Sequence, residues 1–146
     1  MDEVGRLLEG AVVGSVGRAV DMGVVEFAGP EGQVLMVHLQ CPFRILQGGK
    51  LILGSQDMTY PQKGAGPDAF DRFATVYDAR AETLNRGLAA LRPPVTAVTV
   101  GPAGALAVTW EPGFRLEAFP DCSGRVEAWR AFARGGEHYG FPPGPV

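Results

Sequence analysis

Residues 34–45, Val-Leu-Met-Val-His-Leu-Gln-Cys-Pro-Phe-Arg-Ile, carry the strongest indication of the fold. Apolar side chains, with one cysteine among them, occupy every second position of this stretch from Leu35 onward. The positions between them include Met36, His38, Gln40 and Arg44. Because successive side chains of a β-strand point to opposite faces, this alternation predicts a strand with one face in the core and the other at least half exposed to water.

Further β-structure is predicted on both sides of this stretch, where short apolar runs are separated by glycine and proline turns. The predicted strands are residues 12–27, 34–45, 51–53, 95–100, 105–110, 114–119 and 137–141. Strands joined by tight turns pair antiparallel with their neighbours. The sequence therefore predicts one mainly antiparallel sheet of about six to seven strands.

One long amphipathic helix is predicted from about residue 68 to about residue 91, with Asp68 as its N-cap. Its apolar stripe comprises Phe70, Phe73, Tyr77, Leu84, Leu88 and Leu91, with Ala74 and Ala81 between them. This spacing is typical of a helix packed on a sheet, and Pro93 and Pro94 end it. We expect Phe73, Tyr77, Leu84 and Leu88 to face the sheet surface that carries Val37, Leu39 and Phe43.

A short C-terminal helix is predicted from about residue 126 to about residue 133, carrying Trp129 and Phe132. A helix of this length requires tertiary contacts, so Trp129 is interpreted as a structural residue that docks the segment on the sheet, with a partly exposed binding residue as the alternative. We expect Arg130 to reach a carboxylate such as Glu117 or Asp121. Strands followed by a helix, then strands and a second helix, indicate an α+β fold.

The totals favour an ordinary globular protein. A length of 146 residues is typical of one domain, so we expect residues 1–146 to form a single α+β domain. The net charge is −3 and no basic cluster is present, which disfavours a nucleic-acid partner. No apolar run is long enough for a membrane span and the N-terminus lacks the apolar region of a signal peptide, so we expect a cytoplasmic protein with Cys41 and Cys122 as free thiols.

No motif identifies a reaction, a metal or a cofactor. His38 and Cys41 are three positions apart on a predicted strand and point to opposite faces, so they do not share a metal. A metal site that joins His38 to His138, completed by Asp57, Glu117 or Glu137, is disfavoured as well. The Gly48-Gly49-Lys50 sequence enters a strand rather than the helix of a phosphate loop, and no serine lies in a Gly-x-Ser-x-Gly turn. Cys122, in a turn, remains a weak candidate for a reactive thiol.

The candidate binding residues are His38, Gln40, Arg44 and Asp57. The first three share one face of the predicted strand, and Asp57 follows the next strand at the start of the long loop 55–67. Loops of about this length are more often functional than short connections are. These residues predict a binding groove, and the alternative is a solvated sheet face covered by the loop.

Two groups of residues resemble a widespread group of small, uncharacterised bacterial α+β proteins. The first is residues 38–45 followed by Gly54-Ser55-Gln56-Asp57 and Pro61, and the second is residues 115–120 followed by 127–132 and His138. More loosely, the group resembles the small immunity proteins that are encoded beside bacterial toxins. The resemblance implies an acidic α+β domain that binds another protein, and it brings no catalytic residues with it.

Two functions are therefore considered. The first is a non-enzymatic protein-interaction module, most specifically an immunity protein that neutralises a bacterial toxin, because an inhibitor works by complementary burial and needs no reactive group. The alternative is a small-ligand-binding protein or an unrecognised enzyme that uses the face formed by His38, Gln40 and Arg44. A structural subunit of a larger assembly is the third possibility.

Overall fold

Two antiparallel sheets of five strands each, with two α-helices beside them, make up the part of the chain that the computed structural model describes, residues 2–143. The helices are α1 (Asp2–Leu8) and α2 (Val76–Leu91), and a short 3-10 helix spans Ser55–Thr59. The strands are β1 (Val12–Ala19), β2 (Met22–Ala28), β3 (Val34–Leu39), β4 (Phe43–Gln47), β5 (Lys50–Gly54), β6 (Val95–Val100), β7 (Leu106–Trp110), β8 (Phe114–Ala118), β9 (Trp129–Ala133) and β10 (His138–Phe141). The predicted α+β class is confirmed, whereas the single sheet of six to seven strands is only roughly matched.

The first sheet has the strand order β1-β2-β3-β9-β10, and the second has the order β5-β4-β8-β7-β6. All strand pairs are antiparallel, and most neighbours are joined by tight turns. Gly48 and Gly49 make one of these turns, with φ angles of 57° and 80° that glycine adopts without a steric penalty. The sheets share one core, which includes both tryptophans and apolar residues from both helices.

The alternation in residues 34–45 is confirmed as a core pattern, but two strands in different sheets divide it. All its inward positions are buried, the first three in β3 and the next three in or just before β4. The chain crosses between the sheets at Gln40–Pro42, where Pro42 has no N–H to donate and its carbonyl accepts the Phe119 N–H. The prediction of one continuous strand is wrong, because a core between two sheets preserves the inward and outward pattern across this crossover.

The long helix begins at Val76 rather than near residue 68. Thr75 is its N-cap: the Thr75 hydroxyl accepts the Asp78 N–H, and the Asp78 carboxylate accepts the Thr75 N–H. Residues 68–73 form turns instead, and Phe73 has a φ of 54° that no helix permits. This capping box provides a stronger helix start than Asp68 does, which explains the error in the predicted boundary.

The apolar stripe of the helix is confirmed in its middle and wrong at its ends. Tyr77, Leu84 and Leu88 are buried in the core, and the Tyr77 ring meets Phe43 edge to face at a centroid distance of 6.0 Å. Phe73, outside the helix, is 56% exposed, so its expected packing on the sheet is wrong. Leu91, in the last turn, is 56% exposed as well.

The predicted C-terminal helix 126–133 is wrong, because Trp129–Ala133 is strand β9. It pairs with β3, with Trp129 opposite Leu39. Trp129 and Ala131 point into the core, whereas Arg130 between them is half-buried on the other face, a repeat of two that indicates a strand. Trp129 is fully buried and its indole N–H donates to the Gly104 carbonyl at 2.8 Å, as expected of a structural residue.

Helix α1 is a feature of the fold that was not predicted. Helix α1 buries Val4 and Leu8 in the core, although it is only seven residues long and its apolar pattern is correspondingly short. The prediction that Cys41 and Cys122 are free thiols is confirmed, with Cys41 buried and Cys122 exposed. Within residues 2–143, no helix is both long and apolar enough to cross a membrane.

Candidate interaction surface

The four predicted binding residues lie in four separate places. His38 is on β3 and points away from the core, Gln40 lies in the crossover, and Arg44 points outward from β4 in the second sheet. Asp57 lies in the 3-10 helix. Because the outer faces of two packed sheets point in opposite directions, the crossover separates His38 from Arg44. The expectation that His38, Gln40 and Arg44 share one strand face is therefore wrong.

Arg44 and Asp57 already have partners within the chain. The Arg44 guanidinium donates to Glu117 at 2.7 Å, and Arg115 donates to the other Glu117 oxygen at 2.9 Å. The hydrogen bond from Arg115, with that from Arg44, holds the pKa of Glu117 below its usual range. The Asp57 carboxylate accepts the Gly54 N–H at 2.9 Å, which fixes the turn after β5.

His38 belongs to a row of three rings on the outer face of the first sheet, which we call the aromatic row: His38, Phe132 and His138. The edge of the His38 ring meets Phe132 at a centroid distance of 4.9 Å and an interplanar angle of 85°. Phe132 stacks on His138 at 4.4 Å with an angle of 5°. The three side chains come from β3, β9 and β10, which lie next to one another in the sheet.

Arg130 adjoins the aromatic row. It lies opposite His38 in the strand register, donates two hydrogen bonds to Glu127 at 2.8 and 2.9 Å, and has a nitrogen 3.0 Å from Nδ1 of His138. Partial burial lowers the pKa of His38, and the positive charge of Arg130 lowers it further. His38 is therefore neutral at neutral pH and contributes a ring surface rather than a charge.

The two histidines are on the same side of the sheet, but they do not form a metal site. Phe132 stands between His38 and His138, so their nitrogens do not converge on one point. Glu117, one of the carboxylates considered as a third ligand, lies on the second sheet. In the stretch from Asp2 to Pro143, no group of three or more histidine, cysteine, aspartate or glutamate side chains is arranged to hold a metal.

The outer face of the first sheet continues beyond the aromatic row as a shallow apolar surface. Its other outward side chains on β2 and β3 are Met22, Val24, Glu26, Ala28, Val34 and Met36. All six are half-buried. A shallow groove of about 460 Å³ runs over part of this face, from β1 to His38, and Asn85 of α2 lines it as well. The Gln40 amide lies 3.4 Å from the Met22 sulfur at its margin.

Sequence reasoning found only part of this surface. Met36, His38 and Gln40 were placed on an exposed or half-exposed face, but Phe132 was assigned to a helix. The signal that identifies Phe132 is the alternation from Trp129 to Phe132, in which inward and outward side chains take turns. The alternation can be recognised as a strand only when the pairing of β9 with the free edge of β3 is known.

Comparison with known proteins adds no relative from which a role could be transferred. The chain matches no protein-family model, no curated protein and no solved structure. The functional interpretation therefore depends on the chemistry of the surface: two stacked rings with a third in edge contact, two methionines and one internally paired arginine on the outer face of the first sheet.

Proposed function

We propose that this chain is a non-enzymatic protein-interaction module that docks another protein on the outer face of its first sheet. In its most specific form, the proposal is an immunity protein that neutralises a bacterial toxin in the cytoplasm. The observation that carries the proposal is the half-buried apolar face on which Met22, Met36 and His38 line a shallow groove and Phe132 packs against the His38 ring. Aromatic residues, methionine and arginine are the residue types that protein interfaces favour over the rest of a surface.

The shape of this face supports a protein partner more than a small ligand. Small-molecule sites are concave and enclose most of the ligand, whereas this groove is shallow and lies on the flat side of a sheet. The charges of Arg130 and Glu127 are satisfied by each other, so they contribute no free catalytic group. The alternative, an enzyme that uses His38, Gln40 and Arg44 together, loses its basis because Arg44 lies on the other sheet.

A site-specific photo-crosslinker in native cells tests the proposal. The crosslinker replaces Met36 on the proposed face, and the matched control replaces Arg115 on the outer face of the second sheet. We expect one protein to be crosslinked in stoichiometric yield from position 36 and not from position 115. Equal crosslinking from both positions, or none from position 36, would contradict the proposed docking face.

A second variant tests the immunity role separately from the interaction. The crosslinked partner is expressed in cells that lack this chain, and growth is compared after adding back the wild type, Phe132→Ala or Arg115→Ala. Growth arrest by the partner, relieved by the wild type and Arg115→Ala but not by Phe132→Ala, is the expected result. A partner that does not impair growth would make the immunity role wrong and leave the interaction proposal intact.

A further inference from the structure

A second concave surface lies between α2 and the edge of the second sheet, away from the proposed docking face. It is a groove of about 430 Å³, a volume within the range of small-molecule sites. Its apolar lining residues are Ile52, Leu53, Leu84, Leu88, Leu91 and Phe114, and its polar ones are Gln47, Arg80 and Thr83. Gly87 completes the lining at the middle of the helix.

One stripe of α2 forms the helix side of this groove. Arg80, Leu84, Gly87 and Leu91 follow one another at intervals of three or four residues, so they lie along one side of the helix. On the opposite side of the groove, β5 contributes Ile52 and Leu53. The groove is therefore an elongated apolar surface with Arg80 near one end of the stripe and Leu91 at the other.

Gly87 keeps the middle of this stripe open. Its φ is not in the left-handed region, so the backbone does not require glycine there. Gly87 is exposed, and a Cβ placed at this position meets no atom within 4 Å, so open space lies beside it. Glycine inside a helix costs about 1 kcal/mol relative to alanine. Glycine at position 87 therefore lowers the stability of the helix and leaves the middle of the groove open.

Among the residues that the structure describes, Arg80 is the only charged one that lines the groove, and its side chain is exposed. Six of the ten other arginines form ion pairs, namely Arg18, Arg44, Arg72, Arg86, Arg115 and Arg130. Across the described residues, 2–143, Arg80 has neither an ion pair nor a side-chain hydrogen bond. A guanidinium group presents donors in the geometry that a carboxylate accepts.

We propose that this groove binds a small amphipathic carboxylate, with its aliphatic chain along Leu84, Gly87 and Leu91 and its carboxylate on Arg80. The apolar lining accounts for the aliphatic part of the ligand, and the unpaired guanidinium accounts for its negative charge. Thr83 and Gln47 lie at the same groove and offer further hydrogen-bond donors. The site is separate from the face proposed to bind a protein, and either assignment stands without the other.

Titration with decanoate, below its micelle concentration, tests the site directly. Phe114 lines the groove and stacks on Trp110 at a centroid distance of 5.5 Å, so tryptophan fluorescence reports occupancy. The amide signal of Gly87 in a nitrogen–proton correlation spectrum locates the ligand. We expect a saturable change in both signals with decanoate and a weaker one with decyltrimethylammonium, which has the same tail and the opposite charge.

Three variants determine whether the groove is responsible. Gly87→Leu fills the empty space and should abolish decanoate binding, while thermal melting confirms that the variant is folded. Arg80→Gln should raise the Kd for decanoate about 3- to 10-fold, the range for an exposed, charge-assisted contact. Arg86→Gln, which removes an arginine paired with Glu82 outside the groove, should leave the Kd unchanged.

Four results would overturn the proposal. The first is that the wild type shows no saturable change with decanoate. The second and third are that Gly87→Leu binds decanoate as the wild type does, or that Arg80→Gln binds it with an unchanged Kd. The fourth is that the wild type binds the two probes with equal affinity. Equal affinity would mean that the groove selects apolar tails alone, as expected if it receives an apolar side chain of another protein. The growth and crosslinking experiments on Phe132 and Met36 are unaffected by any of these results.

Discussion

Helix α2 contacts the two sheets through different kinds of interaction on its two sides, one facing β1 and the other facing β5. We call the first side the closed flank and the second the open flank. On the side of β1, polar side chains join helix and strand through directed hydrogen bonds. On the side of β5, leucines and a glycine line the open groove. Hydrogen bonds therefore fix the position of this helix, whereas its apolar contacts leave one side incompletely filled.

Arg18 is the centre of the closed flank. Its guanidinium makes a two-point ion pair with Asp78 at 2.8 and 2.9 Å, and it donates to the carbonyls of Phe70 and Val20 at 2.6 and 2.7 Å. Its side chain is only 1% exposed and lies within 4.4 Å of the ring centres of Phe70 and Phe73. One residue of β1 thus fixes the start of α2, the turn before it and the β1–β2 turn.

Asn85 and Tyr77 form hydrogen bonds with the backbone of β1, the edge strand of the first sheet. The Asn85 amide accepts the Val16 N–H at 2.7 Å and donates to the Val16 carbonyl at 2.9 Å, as a neighbouring strand would. The Tyr77 hydroxyl donates to the Gly17 carbonyl at 2.6 Å. These contacts satisfy backbone groups that would otherwise form an exposed sheet edge. By contrast, no residue of α2 makes a comparable hydrogen bond to β5 within residues 2–143.

Removing Arg18 should have the largest effect on stability. We expect Arg18→Met to lower the free energy of unfolding by about 3–5 kcal/mol, because Asp78 is left with a partly buried and unpaired charge. Urea denaturation measures the change. Arg86→Met is the matched control, since its ion pair with Glu82 is exposed and should contribute less than about 1 kcal/mol. Similar losses for the two variants would remove the distinction between the flanks.

The same ion pair predicts the acid sensitivity of the closed flank. Burial raises the pKa of Asp78, but hydrogen bonds from Arg18 and Thr75 outweigh it, so the pKa lies below its usual range. The stabilisation is therefore complete above the unfolded pKa of about 3.9 and is lost as the pH falls through the folded value. Unfolding measured between neutral and acidic pH should show a weaker acid dependence in Asp78→Asn. An unchanged dependence would contradict this assignment.

Leu84 lies at the border between the core and the open groove, which makes it a test of the apolar flank. Leu84→Ala should cost about 2–5 kcal/mol, the range for truncating a buried leucine. We expect a value near the lower limit, since the groove beside it already leaves part of the side chain without neighbours. A thermal or urea melt decides this, and a loss below about 0.5 kcal/mol would mean that the residue is effectively a surface position.

Asn85 tests the hydrogen-bonded strand edge on its own. Asn85→Ala should destabilise the protein by about 1–3 kcal/mol, because the Val16 N–H and carbonyl lose their partners. Hydrogen exchange of the Val16 amide provides a local measurement, and its protection should fall more than that of Val25 in the sheet interior. Unchanged exchange at Val16 would show that the amide does not protect this edge.

The smallest expected effect is a gain in stability on the open flank. Gly87→Ala should raise the free energy of unfolding by about 0.5–1 kcal/mol, since the added methyl group meets no other atom and alanine favours the helix. A melt of this variant beside the wild type measures it. A loss of stability would mean that the space beside Gly87 is already occupied.

The tertiary structure explains why the predicted binding residues do not lie together. The residues between Leu35 and Ile45 were correctly divided into inward and outward positions, but periodicity carries no information on which sheet a strand joins. The crossover at Gln40–Pro42 changes the sheet without changing the alternation. As a result, His38 was correctly placed on a half-exposed face and incorrectly grouped with Arg44.

Local side-chain period is enough to predict the α+β class, the buried middle of α2 and the inward side of β3 and β4. The strand conformation of β9 could not be predicted in this way, since it depends on pairing with β3, which is distant in the sequence. The tertiary structure also decided the contacts between residues that are far apart in the chain, such as Arg18 with Asp78 and His38 with Phe132. These contacts have no local signal, since they arise only when distant segments are brought together by burial of a common core.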